Sequence, residues 1–431
     1  MARFTAFRHA NFRRYFIGQV ISNIGTWLQA LALTWLVLDR TGRSDRLGLV
    51  VALQFLPLLL LGAPAGVLAD RVDNRRLLLT TSAVSAVLAL AFGLVVSGGT
   101  DDLRVIYALT FVSGLVLAVE RPAMQALLYQ LVGQETLPSA VAANSTIASV
   151  SRLVGPALGG ALVTVTGVAS CFYVNAVSFV VVLGALASID RNRLVPRPHG
   201  DRATGNLRAA VAYVRHHPDV RRPLIVMAVV GLVVLNFQTT FPAMVGFGFD
   251  RGPGAVGMAM SVSAIGSILG GIYAAGIAPD PRRTLARVLV GFSTMLVVLA
   301  MAPSYPIFVV LAIPLGFASA CFQSVNTVAV QQATEPAMQG RVMALHQMAW
   351  NGSTPLGALA VGWIIQTSSA RMPFLLGGLA AMMCAAGTFR RAPQLPARTL
   401  EVCQPRLAVS GDVRTRPSPR GWSSLRCRHR A

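Results

Sequence analysis

Twelve windows of this chain stay apolar for the roughly 20 residues that an α-helix needs to cross a hydrocarbon layer of about 30 Å. They lie at 15–38, 47–69, 77–97, 103–127, 140–165 and 169–188, then at 224–247, 255–277, 285–301, 305–330, 342–366 and 373–389. Lipid offers no water to backbone N–H and C=O groups, so such stretches fold as helices. The alternating strands of about ten residues that build a membrane β-barrel do not occur. Only 12% of residues are charged, against roughly 25% in soluble domains. The pattern predicts an all-α polytopic membrane protein with twelve transmembrane helices.

Arginine sets the orientation. The chain has no lysine, so all 37 basic residues are arginines. With both termini cytoplasmic, 29 of them fall in inner segments and six in outer loops, while Arg121 and Arg152 lie inside windows. The expected location is therefore a bacterial cytoplasmic membrane, crossed many times, with both ends inside. The net charge of +21 then reads as attraction to anionic inner-leaflet lipid, not to nucleic acid, because the basic residues are scattered along the chain. The first window is too long for a cleavable signal core. Cys171, Cys321, Cys384, Cys403 and Cys427 have no metal-ligand spacing.

Residues 1–189 and 224–391 are predicted as two six-helix bundles. Residues 190–223 read as a polar cytoplasmic linker. In it Asn206 can cap a short helix whose Leu207, Val211 and Val214 share a face suited to the inner membrane surface. Residues 392–431, rich in Pro, Arg and Ser, are predicted to be disordered.

Between the second and third windows stands a charged elbow, Gly66-Val67-Leu68-Ala69-Asp70-Arg71-Val72-Asp73-Asn74-Arg75-Arg76, echoed in the second half by Gly276-Ile277-Ala278-Pro279-Asp280-Pro281-Arg282-Arg283. Gly66 permits two helices to approach closely. Asp70, within a turn of a helix end, can meet a helix N-terminus or an arginine. Such a latch, repeated at Asp280, suits one of two access states. Plain anchoring by Arg71, Arg75 and Arg76 is the alternative. In the fifth window Gly155-Pro156-Ala157-Leu158-Gly159-Gly160 joins a helix-kinking proline to glycines that allow tight packing, and Thr354-Pro355-Leu356-Gly357 repeats the idea in the eleventh.

These motifs carry a family resemblance. The elbow resembles the signature loop between helices two and three of the major facilitator superfamily, and Gly155–Gly160 resembles its antiporter motif. Asn11-Phe12-Arg13-Arg14-Tyr15-Phe16, Gly18-Gln19, Gly25-Thr26-Trp27 and Pro122-Ala123-Met124-Gln125-Ala126 are similar to the exporter branch that includes enterobactin exporters and macrolide-efflux proteins, the transmembrane secretion effectors. The likeness covers about residues 7–390. It departs from the superfamily at Asp73 and at Ser151, where glycine is frequent. The resemblance implies two pseudo-symmetric bundles and favours a gating role for Gly155, Pro156, Gly159 and Gly160.

Charge at membrane depth needs a reason, since a carboxylate there costs about 2.5–3.5 kcal/mol on insertion scales. Glu120 is the acidic residue well inside a window, with Arg152 of the next window as a plausible partner. It is expected either to alternate between protonation and that ion pair, coupling protons to transport, or to hold a permanent pair. His346 can titrate near neutral pH, though a lone buried histidine is more often simply hydrogen-bonded. Polar side chains at helical spacing predict a cavity lined by Asn23, Thr26 and Gln29, by Gln54, Asn144 and Asn236, and by Gln323, Asn326, Gln347 and Trp350. With few fixed charges, it would suit a bulky amphipathic solute.

A phosphate-cradling ATPase loop needs lysine, which is absent, and no catalytic triad or metal cluster is apparent. The chain is expected to be a transporter, not an enzyme, with no cofactor. It would export a small amphipathic molecule such as a siderophore, antibiotic or other drug-like metabolite, in exchange for protons. An importer or facilitator, or a non-transporting membrane sensor, are the alternatives. The expected partners are the solute, protons and membrane lipid, acting on a monomer that could hand cargo to a periplasmic or outer-membrane efflux component.

Overall fold

The computed structural model describes residues 5–99, 102–196, 207–276 and 281–389. Asn206, Asp280 and the tail at 392–431 lie outside the described residues. Each apolar window seats a helix, and most helices run a few residues past the window. α1 is Ala10–Thr41, α2 Ser44–Arg71 and α3 Asn74–Ser97. The next helical run, Leu103–Thr166, is 64 residues long, about twice what a bilayer accommodates. Gly133 breaks it with φ 73° and ψ 176°, a left-handed turn that a side chain would resist, giving α4 (103–132) and α5 (134–166). α6 is Val168–Ala187. After the short linker helix Leu207–His216 come α7 (Pro218–Gly248), α8 (Pro253–Ala275), α9 (Pro281–Ala300), α10 (Tyr305–Ala333), α11 (Gln339–Thr367) and α12 (Met372–Phe389). Large apolar side chains such as Val87, Ile272 and Met383 face outward and are 66–69% exposed, as lipid contact allows.

This is an all-α polytopic membrane protein whose successive helices alternate direction. One end of the bundle carries Asp70 and the linker helix; the other carries Gly42, Gly98 and Gly99, and the turn at 249–252. Glycines bring the two halves together in a symmetric way. On α5, i,i+4 spacing makes two adjacent small faces. A Cβ at Gly155 would lie 2.5 Å from Trp27 Cβ, and one at Gly159 3.2 Å from Leu28 Cα, so this face meets α1 of its own half. A Cβ at Gly160 would lie 2.6 Å from the Pro253 carbonyl, and Gly257 abuts the Pro156 carbonyl, so the neighbouring face meets α8 of the other half. α11 repeats the plan. Gly357 presses on Leu232 of α7, while Ala358 and Gly362 meet Gly48 and Ser44 of α2. Ser151, the departure noted above, continues the α1-facing stripe one turn earlier and is fully buried.

All these inter-half contacts lie toward the Gly42 end. There a single apolar core runs through both halves, from Leu28–Leu38, Phe92 and Phe172 to Phe241, Phe308 and Phe374. Toward the Asp70 end it continues only within the second half, at Val226, Leu285 and Ala385, and separate clusters lie beside it. One belongs to the first half (Phe12, Tyr15, Leu78, Leu127, Leu131, Leu186), and one to the second (Val220, Leu224, Val330, Val342). The halves are thus packed together at one end and apart at the other.

In the linker helix Val214 packs beside Ala210 and Tyr213, Val211 is half-buried, and the Leu207 side chain lies outside the described residues. The helix docks on the second half, where the Glu335 N–H donates to Tyr213 Oη (3.2 Å) and Tyr213 stacks on His217 at 3.9 Å. The seventh span is not one continuous helix. It unwinds at Val234–Asn236 and closes with a π-turn at Met244–Gly248. Asn236 is the local cause: its Nδ2 donates to the Leu232 carbonyl (2.9 Å), supplying by side chain a bond the main chain gives up.

Candidate functional site

A cavity of about 700 Å³ opens between the halves at mid-depth. Asn23, Thr26, Gln29, Gln54, Asn144, Asn236, Gln323, Gln347 and Trp350, all expected there, line it. Asn326 does not. It is fully buried, with Nδ2 donating to the Pro223 carbonyl (3.0 Å). That bond turns its Oδ1 toward His346, whose Nε2–H donates to it at 3.0 Å and fixes the tautomer. His346 is likewise fully buried and sits outside the cavity lining. Its bond ties α11 to α10, and Asn326 ties α10 to α7.

Most lining amides are held by neighbours. Asn23 Nδ2 donates to the Gln19 carbonyl (2.9 Å), Asn175 Nδ2 to Gln29 Oε1 (2.7 Å) and Gln323 Nε2 to Ser319 Oγ (3.1 Å). Asn236 Oδ1 is buried without a partner among the described residues. Trp27, Phe55, Phe179, Phe237 and Trp350 supply flat apolar wall. Broken backbone at a membrane-embedded pocket, as at Asn236, is tolerated where it lines a cavity.

The charges differ from expectation. Glu120, Arg121 and Arg152 all line the cavity, so it is more charged than the amide pattern suggested. No ion pair joins Glu120 to Arg152 among the described residues. The Arg152 guanidinium lies over the Trp27 ring at 5.4 Å. The reason is local: Gly155 draws α5 onto α1 at Trp27, one turn from Arg152, and an arginine there finds an aromatic face within reach. Arg121 Nη1 donates to Asn351 Oδ1 (3.4 Å), a bond that crosses from one half to the other. Sequence reading had placed Arg121 in a window without assigning it a wall.

The elbow also departs from its expected part. A Cβ at Gly66 would meet nothing within 4 Å, because α2 diverges from its neighbours toward the Asp70 end; its close approach to the other half is at Gly48. Arg75 turns inward, 7% exposed, donating through Nε to the Leu186 carbonyl (2.8 Å) and through Nη2 to the Ala187 carbonyl (2.7 Å). It satisfies the last turn of α6 within its own half. Asp73, the other departure, caps α3 by accepting from Arg75 N (2.9 Å) and Arg76 N (3.2 Å), and Arg76 pairs with it at 3.5 Å on the surface. Asp70, Arg71 and Arg283 are exposed at this end, and the Arg282 side chain, with Asp280, is outside the described residues. Asn11 and Arg14, quoted above only for resemblance, join the same seam. Asn11 exchanges two bonds with the Asp190 backbone (2.9 and 3.0 Å), and Arg14 donates to the Ser188 carbonyl.

At the Gly42 end the seal is polar as well as glycine-packed: the Ser44 N–H donates to Gln366 Oε1 at 2.9 Å. The arrangement is a solute-sized chamber, closed at that end and facing the separated clusters of the other.

Comparison with known proteins places this geometry. The sequence model of a family described as transmembrane secretion effector matches residues 1–412. The staphyloferrin A transporter of Staphylococcus aureus is 26% identical over 352 residues, covering 80% of this chain and 87% of that protein. The multidrug efflux pump Tap of Mycobacterium tuberculosis is 24% identical over 370 residues, with 81% and 86% covered. Among solved structures, a bacterial homologue of the iron transporter ferroportin in its inward-facing state superposes with a TM-score of 0.70 at 13% identity, covering 88% of this chain and 98% of that one.

Proposed function

From the premise that this chain belongs to the transmembrane secretion effector family, we propose that it exports a small amphipathic molecule from the cytoplasm by alternating access, in exchange for protons. The class of cargo is that of a siderophore, antibiotic or other drug-like metabolite, in keeping with relatives named as a staphyloferrin A transporter and a multidrug efflux pump. The observation that carries the reading is the closure of the chamber at the Gly42 end while the halves part at the Asp70 end. The arginine bias assigns the Asp70 end to the cytoplasm, which makes this the loading state of an exporter. Residues 1–189 and 224–391 act as the two moving halves, and the chain works as a monomer.

Glu120 supplies the proton site. It is the one carboxylate in the lining of the chamber, and no ion pair holds it charged among the described residues. Protonation on the outer side and release on the inner side would let the chamber return empty. In inverted vesicles holding the full chain, an imposed pH gradient should drive uptake of a fluorescent drug-like probe. Glu120→Gln should abolish the gradient-driven part while leaving probe equilibration down its own gradient. If the variant still concentrates probe against a gradient, the coupling reading fails.

A further inference from the structure

We propose that Arg152 is a docking point for an anionic group, so that the solutes this chamber prefers are aromatic carboxylates or close analogues, not neutral amphiphiles. The inference rests on the chamber being the transport site and goes on to name what it selects.

Three observations carry it. First, Arg152 has no carboxylate partner among the described residues; its guanidinium is met by the Trp27 ring, a neutral surface that leaves its N–H donors unspent. Second, the formal charges in the lining are Glu120, Arg121 and Arg152, one negative against two positive. Glu120 and Arg121 are chain neighbours, and Arg121 already spends a donor on Asn351. The uncompensated charge falls to Arg152. Third, Arg152 stands where two spaces meet. A second recess of about 530 Å³ lies between α5, α8, α10 and α11, sharing Arg152, Gln323 and Trp350 with the main chamber. Arg152 alone is charged among its lining residues; hydroxyls such as Ser149, Ser267 and Thr327 line much of the rest. A solute reaching the chamber along this recess meets one fixed positive charge, set on an aromatic plane.

A planar guanidinium suits a carboxylate, taking both oxygens through parallel N–H donors. The indole beneath it and Trp350 across the junction give the apolar body of such a solute its surface. An anion there would also remove the cost of an unpaired cation at membrane depth.

The test uses equilibrium binding to the full chain in lipid nanodiscs, with 2-naphthoate and its neutral counterpart 2-naphthamide as probes. Binding needs neither a pH gradient nor a direction of transport, so its outcome is separate from that of the export reading. Naphthoate is expected to bind about tenfold more tightly than naphthamide. Arg152→Gln should lower naphthoate affinity to the naphthamide level and leave naphthamide unchanged, which also shows that the variant is folded. Arg152→Lys, which keeps the charge but not the fork, should fall between. Equal binding of the two probes to the wild type, no binding of either, or an equal loss of both in Arg152→Gln would each overturn the proposal.

Discussion

Asp73 and Arg75 stand two positions apart in the elbow and do opposite jobs at opposite helix ends. Asp73 accepts from the first free N–H groups of α3, and Arg75 donates to the last free carbonyls of α6. Arg76, the next residue, makes only an exposed pair with Asp73. The expected order of damage follows from burial. Arg75→Ala should cost about 2–3 kcal/mol, because it orphans buried carbonyls that had a charged donor. Asp73→Ala should cost about 1 kcal/mol as a lost cap, and Arg76→Ala no more than about 0.5 kcal/mol. Thermal unfolding of the three purified variants reads this ranking directly. Residue roles of this kind were only half legible beforehand. That an arginine belongs near a membrane interface can be read from a chain; that one of two adjacent arginines turns inward depends on where α6 ends in space. Gly66 shows the same limit, since a glycine records that a side chain is missing, not that a neighbour fills the gap. Arg152 was legible as a buried charge, but its aromatic partner depends on the depth of the α1–α5 contact.

At the scale of elements, the helices were the most readable part of the chain. Apolar windows of bilayer length fix where a helix must be, and the structure moved their ends by a few residues. The break in α7 was not visible, because neither glycine nor proline stands at 234–236 and the device is a side-chain amide replacing a main-chain donor. The inter-half seams were visible only as small residues without an address. Their addresses now make a comparison possible. Gly257 abuts the Pro156 carbonyl, whereas a Cβ at Gly271, on the same helix, would meet nothing within 4 Å. Gly257→Val should prop the halves apart at the Gly42 end and reduce net transport by about 5- to 150-fold, the scale of an overpacked contact of about 1–3 kcal/mol. Gly271→Val should transport like the wild type. Probe flux in vesicles, normalised to the amount of folded protein, distinguishes them.

Among the described residues the molecule has one apolar core that both halves share and three smaller ones that they do not. Turnover by alternating access requires the shared region to split at the Gly42 end. Cysteines at 44 and 366, introduced after replacing the native ones, should be joined by a short bifunctional maleimide, since the Ser44 backbone already bonds the Gln366 side chain. The cross-link should stop transport and leave probe binding from the Asp70 end intact. Continued transport by fully cross-linked protein would mean that this seam never opens.

Helix α5 has two kinds of neighbour, and the difference bears on how the chain can change over time. Toward α1 its glycines grip a companion in the same half; toward α8 they touch a surface that, if the halves alternate as proposed, must let go and return in every cycle. A methyl group added to the first face loosens a permanent joint, and one added to the second detunes a reversible one. Drift in sequence should therefore be filtered by fold on one side of α5 and by turnover rate on the other, although the two sides lie a single residue apart.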